Sequence, residues 1–239
     1  MITTGDKEYK YTKLIKQGKA AMNPDFIELA DWIYKNYNAK PINIIYDIIS
    51  GAGGKLMPRL EVIFEFPVDE DKFRNDPLNY FSYDEAKKEE IKQQFKKDII
   101  SKGFTLKKSF WNLFGGRIFK KYDVENMFVV FSSFEPIAKG DANNSIPESI
   151  LKKLEEEINN PDLWKIVRDQ SVTFFFYTDN QVKENTINGL KEIVTQKYFE
   201  ILKLYDEFDY FKKDNFSVSF DSKENFDNKY ESNWFNYYR

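Results

Sequence analysis

The stretch SVTFFFYT (171–178) restricts the fold more than any other part of the sequence. Six consecutive residues, from Val172 to Tyr177, are apolar or β-branched. An uninterrupted run of this kind is typical of a strand covered on both faces, because a strand with one wet face alternates apolar and polar residues. The run therefore predicts a central strand in a layered domain, with helices packed against the sheet.

Helix and strand patterns earlier in the chain predict further layers. Asn23 and Pro24 mark the start of a helix that ends near Asn38, since the apolar residues between them recur at spacings of three and four. Ser82 and Glu85 have the spacing of a capping box and open a second helix. Segments rich in β-branched and aromatic residues predict two hairpins, formed by 41–50 with 60–66 and by 117–122 with 127–134.

The polar stretch KGDANNS (139–145) is the best predicted boundary in the chain. After this boundary the patterns predict a helix opened by the capping-box pair Ser145 and Glu148, followed by a turn at 163–167. The central strand comes next, then a long helix capped by Thr178 and Gln181, and last a strand at 216–220. The order of elements repeats that of the first part, although residue identity does not. This repetition raises the hypothesis of two similar α/β halves.

Together these patterns predict an α+β fold, with a mainly antiparallel sheet built from hairpins and helices packed on it. The predicted segments are a solvated basic leader at 1–22, a helix–hairpin–helix–hairpin part at 23–140, and a helix–strand–helix–strand part at 141–239 with an aromatic tail. The last two form either separate domains or one continuous domain. A hydrophobic content of 41% over 239 residues provides enough apolar material for either.

The absence of both Cys and His limits the chemistry that the chain can perform. Disulfides, thiolate zinc sites and Ser-His-Asp triads are excluded, and catalysis would have to use carboxylates, Lys, Tyr, Ser or a hard cation held by oxygen ligands. We expect no cofactor. The start of the chain lacks the apolar segment of a secretory signal and no run has the length of a membrane span, so we expect a soluble cytoplasmic protein.

The chain ends on its most aromatic stretch, ENFDNKYESNWFNYYR. Three rings lie four residues apart, at Phe226, Tyr230 and Trp234, and this spacing predicts one apolar edge that seals the second part. The residues beyond that edge are predicted to bind a partner, because Tyr, Trp and Arg dominate the energy of protein interfaces. They are Phe235, Tyr237, Tyr238 and Arg239.

A second candidate surface is the segment 102–121, which contains no acidic residue. Cations for phosphates and rings for base stacking occur together in it, as single-stranded nucleic-acid binding requires. The candidate residues are Lys102, Lys107, Lys108, Trp111, Arg117, Lys120 and Lys121. Two observations favour a structural interpretation: the net charge of the chain is −3, and the rings can point into a core while the lysines extend to solvent.

Carboxylates are the remaining candidates for acid–base or metal chemistry. Glu61 and Glu65 share a strand face but lie roughly 13 Å apart, too far for the carboxylate pair of a retaining glycosidase, which is about 5 Å apart. The groups 69–71 and 221–227 are acidic but have neither the glycine nor the final glutamate of an EF-hand loop. We therefore predict no catalytic residue and no metal site, and these groups are expected to be solvated surface.

These observations favour a non-enzymatic protein-binding protein. In acidity, absence of cysteine and aromatic richness the chain is similar in general character to the immunity proteins that neutralise bacterial toxins. No motif carries that resemblance, so no residue role follows from it. The alternatives are a single-stranded nucleic-acid-binding protein that uses 102–121 and, third, a carboxylate- or metal-dependent enzyme.

Overall fold

A computed structural model describes residues 3–76, 79, 82–104, 121–124, 127–168 and 171–238. The chain divides into two compact units, Met1–Glu135 and Pro136–Arg239. Each unit has its own three-stranded sheet, and helices precede, connect and follow the strands. None of the helices in the described ranges is both long enough and apolar enough to cross a membrane.

The first unit has two helices before its hairpin and two helices between the hairpin and its last strand. They are α1 (Lys7–Lys16), α2 (Ile27–Tyr37), β1 (Pro41–Ser50), β2 (Leu56–Phe64), α3 (Pro67–Asp71), α4 (Glu85–Ser101) and β3 (Phe128–Ser133), after which α5 (Phe134–Ser145) begins. Strand β2 lies in the middle of the sheet, antiparallel to β1 and parallel to β3. One sheet face forms the core with α2 and α4, around Leu60, Val62 and Phe64.

The second unit follows the same order. Its elements are α6 (Glu148–Ile158), β4 (Leu163–Arg168), β5 (Val172–Phe176), α7 (Asp179–Ile187), α8 (Leu190–Lys203), β6 (Ser219–Ser222), α9 (Lys223–Tyr230) and α10 (Trp234–Tyr237). Strand β5 lies in the middle, antiparallel to β4 and parallel to β6. Every residue of β5 is buried, which confirms the prediction of a central strand covered on both faces.

The two sheets also agree in their register. The antiparallel ladder shifts between Pro41 and Asn43 in the first unit and between Leu163 and Lys165 in the second. The helix before each hairpin ends at an asparagine in the left-handed conformation, Asn38 with φ 52° and Asn159 with φ 45°. The hypothesis of two similar halves agrees with these shared details.

The α+β prediction is confirmed, and each sheet is mixed rather than purely antiparallel, with one antiparallel and one parallel pairing. The helices between β2 and β3, and between β5 and β6, return the chain so that the next strand runs parallel to the last. The segment 117–120, predicted as part of a second hairpin, lies outside the described residues. Its predicted partner at 127–134 contains β3, which pairs with β2.

Two predicted polar segments are helical. The stretch 139–145, predicted as a boundary, lies inside α5, where Asn143 is buried and accepts a hydrogen bond of 3.0 Å from the Tyr198 hydroxyl. Residues 7–16, predicted as part of a solvated leader, form α1. The Tyr9 ring of α1 is buried and stacks on Phe134, with ring centroids 5.2 Å apart. In both segments a few buried side chains fix a helix that is otherwise polar.

Of the predicted helix caps, two are confirmed. Asn23 caps the 3-10 turn Pro24–Phe26 that leads into α2, and its side chain accepts a hydrogen bond of 3.1 Å from the backbone N–H of Asp25. Thr178 and Gln181 form the capping box that opens α7. Asp84 caps α4 in place of Ser82, and α6 begins after Pro147 without a side-chain cap. The long helix predicted after Thr178 is two helices, because Gly189 adopts a left-handed conformation between α7 and α8.

Candidate functional site

The aromatic tail covers one face of the second sheet. Successive side chains of a strand point to opposite faces, so Phe174 and Phe176 enter the core with α8 while Phe175 points away from it. On that other face the Phe175 ring lies 5.4 Å from the rings of Trp234 and Tyr237, measured between centroids. The tail helices α9 and α10 therefore form the second layer that the buried strand requires.

The tail reaches this face through a break between α9 and α10. Ser222 caps α9 by accepting a hydrogen bond of 2.8 Å from the backbone N–H of Asn225. Glu231 and Ser232 then adopt left-handed conformations, each with φ 54°, and end the helix. Asn233 opens α10 by accepting from the N–H of Phe235 at 2.8 Å. The break places Phe226 and Tyr230 on α9 and Trp234 on α10, so the three rings of the predicted edge lie on two helices.

All three rings of that predicted edge nevertheless pack against the second unit, and the Tyr230 ring lies 4.9 Å from the Tyr237 ring, edge to face. Phe226 is buried, and Trp234 stacks on it with a centroid separation of 4.1 Å. Trp164 from β4 stacks with Trp234 at a centroid separation of 6.3 Å and lies 6.1 Å from Phe226. We call this set the aromatic layer; its members are Trp164, Phe175, Phe226, Trp234 and Tyr237.

The structure describes three of the four residues that the sequence predicts as a partner-binding group, and it separates these three. Phe235 is 73% exposed and Tyr238 is 54% exposed. Tyr237 is half-buried in the aromatic layer, and its hydroxyl donates a hydrogen bond of 2.6 Å to Asp221 Oδ2. Arg239 lies outside the described residues. Two rings are thus presented to solvent, while the third anchors the segment that carries them.

The anchor has a definite electrostatic setting. Burial of the phenol, together with its hydrogen bond to the Asp221 carboxylate, raises the pKa of Tyr237. Asp221 Oδ1 also accepts hydrogen bonds from the backbone N–H of Ser222 at 2.7 Å and from the Asn225 amide at 2.9 Å. Lys165 Nζ lies 5.2 Å from the centre of the Trp234 ring, within cation–π range. The aromatic layer is therefore tied to β6 and β4 by polar contacts as well as by packing.

The structure describes the basic segment 102–121 at its two ends, residues 102–104 and 121. Lys107, Lys108, Trp111, Arg117 and Lys120 lie outside the described residues. Lys102 Nζ is 3.3 Å from a Glu28 carboxylate oxygen and donates to the Asp25 carbonyl at 3.1 Å. Lys121 forms an ion pair with the Asp25 carboxylate and lies over the Phe104 ring. Both described lysines are therefore paired with acidic residues at the start of α2.

Asp25 is the centre of this arrangement. Its carboxylate also accepts a hydrogen bond of 2.6 Å from the Tyr122 hydroxyl. Burial alone would raise the pKa of Asp25, but the hydrogen bonds from Lys121 and Tyr122 outweigh it and lower the pKa. The charge that these lysines could offer to a phosphate is thus already partly neutralised.

The acidic groups that the sequence singles out have structural partners. Asp69 pairs with Lys72 at 2.7 Å, and Asp71 pairs with Arg74 at 3.0 Å. Glu224 accepts from the backbone N–H of Asp179 at 3.0 Å. Glu70 pairs with Arg74 and Asp227 with Lys223. Across the described ranges, no three Asp or Glu residues are arranged to hold a metal ion.

The structure reveals one polar cluster that the sequence interpretation missed. It lies on the face of the first sheet that α1 covers, and we call it the Arg59 cluster; its members are Glu8, Asp47, Arg59, Glu61 and Ser132. Arg59 donates to both oxygens of Asp47, at 3.0 and 2.6 Å. Asp47 lies opposite Arg59 in the β1–β2 register. The alternation of polar residues at 43 and 47 in β1 and at 59 and 61 in β2 is the signal that could have indicated it.

Two shallow grooves lie in the second unit, and neither gathers the predicted site residues. One, of about 430 Å³, lies between α8 and residues 213–217. The other, of about 350 Å³, lies between α6 and α8. Each is lined by lysine and glutamate side chains together, so neither has a charge that selects a ligand.

Comparison with known proteins adds no functional assignment to this geometry. No family model, no curated protein and no solved structure matches the chain. The function must therefore be inferred from the aromatic layer and the two rings that it presents to solvent.

Proposed function

We propose that this is a non-enzymatic protein-binding protein that contacts its partner through Phe235 and Tyr238. The observation that carries the proposal is that two large rings, Phe235 and Tyr238, are more than half exposed beside the packed rings of Trp234 and Tyr237. A ring that is held in place before binding loses little conformational entropy when it is buried in a partner. Exposed aromatic residues on an anchored segment are the kind that become interface hot spots.

The packing beneath these rings supports the proposal further. Each exposed ring directly follows a packed ring in the chain: Phe235 follows Trp234, and Tyr238 follows Tyr237. The packed rings of Trp234 and Tyr237 contact Phe226 and Phe175. The Tyr238 ring lies 5.0 Å from Tyr237, edge to face. A partner that covers the exposed rings would extend the aromatic layer rather than order a disordered tail.

We further propose that the partner is a toxin that the protein inhibits, as immunity proteins do. The support is general: the chain is acidic, lacks the residues of the common catalytic sites and presents an aromatic contact surface. Proteins of this kind are encoded beside the toxin that they neutralise. The product of the neighbouring gene is therefore the first partner to test.

Co-expression tests this proposal directly. The neighbouring gene should arrest growth of a bacterial host when expressed alone, and co-expression of this chain should restore growth and give a complex that co-purifies. A neighbour that is harmless, together with the absence of a complex, would contradict the inhibitor proposal. The alternative of single-stranded nucleic-acid binding predicts instead that the purified protein retains an oligonucleotide in a salt-dependent manner, lost in a variant with Lys107, Lys108, Lys120 and Lys121 changed to Glu.

A further inference from the structure

The Arg59 cluster contains more negative charge than its single cation can balance. Arg59 Nη2 lies 3.6 Å from Glu8 Oε1 and 2.6 Å from Asp47 Oδ2, and Nη1 lies 3.6 Å from Glu61 Oε2. One guanidinium thus faces three carboxylates, which come from α1, β1 and β2. With every group ionised, the cluster carries three negative charges and one positive charge.

Glu61 is the most deeply buried of the three carboxylates. Its side chain is 4% exposed, and its Oε1 accepts a hydrogen bond of 3.0 Å from Ser132. Its Oε2 is buried and has no hydrogen-bond partner within the described ranges. Arg59 is already engaged by two hydrogen bonds to Asp47. A buried carboxylate oxygen without a donor is costly in the ionised form, and a proton removes that cost.

The cluster also lies where α1 is attached to the sheet. Glu8 belongs to α1, and one turn later the Thr12 hydroxyl accepts a hydrogen bond of 2.9 Å from the buried Asn43 of β1. At the end of α1, Lys16 pairs with Glu65 at 2.6 Å. Because Glu8 is an α1 residue in the cluster, any change in the charge of Glu61 acts on this attachment.

We propose that Glu61 is a proton-binding site that links pH to the attachment of α1 on the first sheet. The reaction is the uptake of one proton from solvent by the Glu61 carboxylate. The neutral group no longer repels Glu8 and Asp47, and Arg59 is left to pair with those two. On this account α1 is held more firmly when Glu61 is protonated.

The charged groups around Glu61 fix the direction of the pH dependence. Burial is the main cause that raises the pKa of Glu61; Arg59 and the hydrogen bond from Ser132 oppose it, and Glu8 and Asp47 add to it. β3 contributes Ser132, which is uncharged. A raised pKa means that the folded protein binds the proton more tightly than the unfolded chain. The resulting stability is present below the ordinary pKa of a glutamate and is lost as the pH rises through the raised value.

Amide hydrogen exchange of α1 in the full chain tests the proposal. Between pH 5 and pH 8, after correction for the intrinsic exchange rate, we expect the protection of α1 in the wild-type protein to fall several-fold. In Glu61→Gln, which stays neutral, the protection should stay high and level. The matched control is Glu156→Gln, the same change at an exposed position of α6, and it should behave as the wild type does.

Equal pH dependence in the wild type and Glu61→Gln would overturn the proposal. If Glu61→Gln does not fold, the carboxyl carbon of Glu61 can be followed by NMR in the wild type and in Glu8→Gln. Removal of the Glu8 charge should lower the pKa of Glu61. A Glu61 carboxyl that titrates as an ordinary glutamate, or that is insensitive to Glu8→Gln, would contradict the proposal equally.

Discussion

At the scale of single residues, Tyr237 shows how burial changes the meaning of an aromatic side chain. The sequence groups it with Phe235 and Tyr238 as a partner contact, yet its ring packs 6.0 Å from Phe226 and its hydroxyl bonds to Asp221. Asp221 lies in β6, 16 positions earlier in the chain. No local pattern relates these two residues, so only the fold could separate the anchor from the exposed rings.

Replacement of Tyr237 by Phe tests this anchoring role. We expect Tyr237→Phe to lower the free energy of unfolding by about 1 kcal/mol, because it leaves Asp221 without one donor and keeps the ring. Urea denaturation measures the difference. Tyr230→Phe is the matched control, since the Tyr230 hydroxyl has no hydrogen bond to the described residues and its loss should be close to neutral. Equal effects of the two changes would show that the bond to Asp221 does not stabilise the fold.

At the scale of elements, local chemistry predicted boundaries well where side chains cap or alternate. Strand β1 has the predicted bounds 41–50, and the capping box of Thr178 and Gln181 opens α7. Prediction from sequence failed where contacts between residues far apart in the chain determine the secondary structure. The residues at 163–167 are predicted as a turn, whereas Leu163–Arg168 forms strand β4, because β5 lies beside it and pairs with it. The Arg59 cluster was missed for the same reason, since α1 completes it from outside the sheet.

The left-handed asparagines that end α2 and α6 give a prediction at this scale. We expect Asn159→Ala to lower the free energy of unfolding by about 1 kcal/mol, since asparagine tolerates the left-handed conformation at φ 45° better than alanine, which has no short polar side chain to support it. Asn159→Gly should cost a few tenths of a kcal/mol at most, because glycine adopts this conformation readily. Thermal and urea unfolding of both variants would show whether the glycine variant is more stable than the alanine variant. An alanine variant as stable as the glycine variant would show that the cap is unimportant.

At the scale of the whole molecule, each unit has a core of its own. The core of the first unit lies between its sheet and α2 and α4, and that of the second lies between its sheet and α6 and α8. We therefore expect the fragment 134–239, which includes all of α5, to fold alone. Circular dichroism of this fragment should show a cooperative thermal transition. A gradual, non-cooperative loss of signal would mean that the second unit depends on the first.

The central claim is that Phe235 and Tyr238 form the contact surface for a protein partner. The most direct measurement is the dissociation constant of the complex with the product of the neighbouring gene, obtained by isothermal titration calorimetry for three proteins. These are the wild type, the double variant Phe235→Ala/Tyr238→Ala, and the control Ile187→Ala, which truncates an apolar residue that is 85% exposed elsewhere in the same unit. Truncation of two hot-spot rings should weaken binding by about a hundredfold or more, and the control should bind as the wild type does. A double variant that folds and binds with unchanged affinity would contradict the claim.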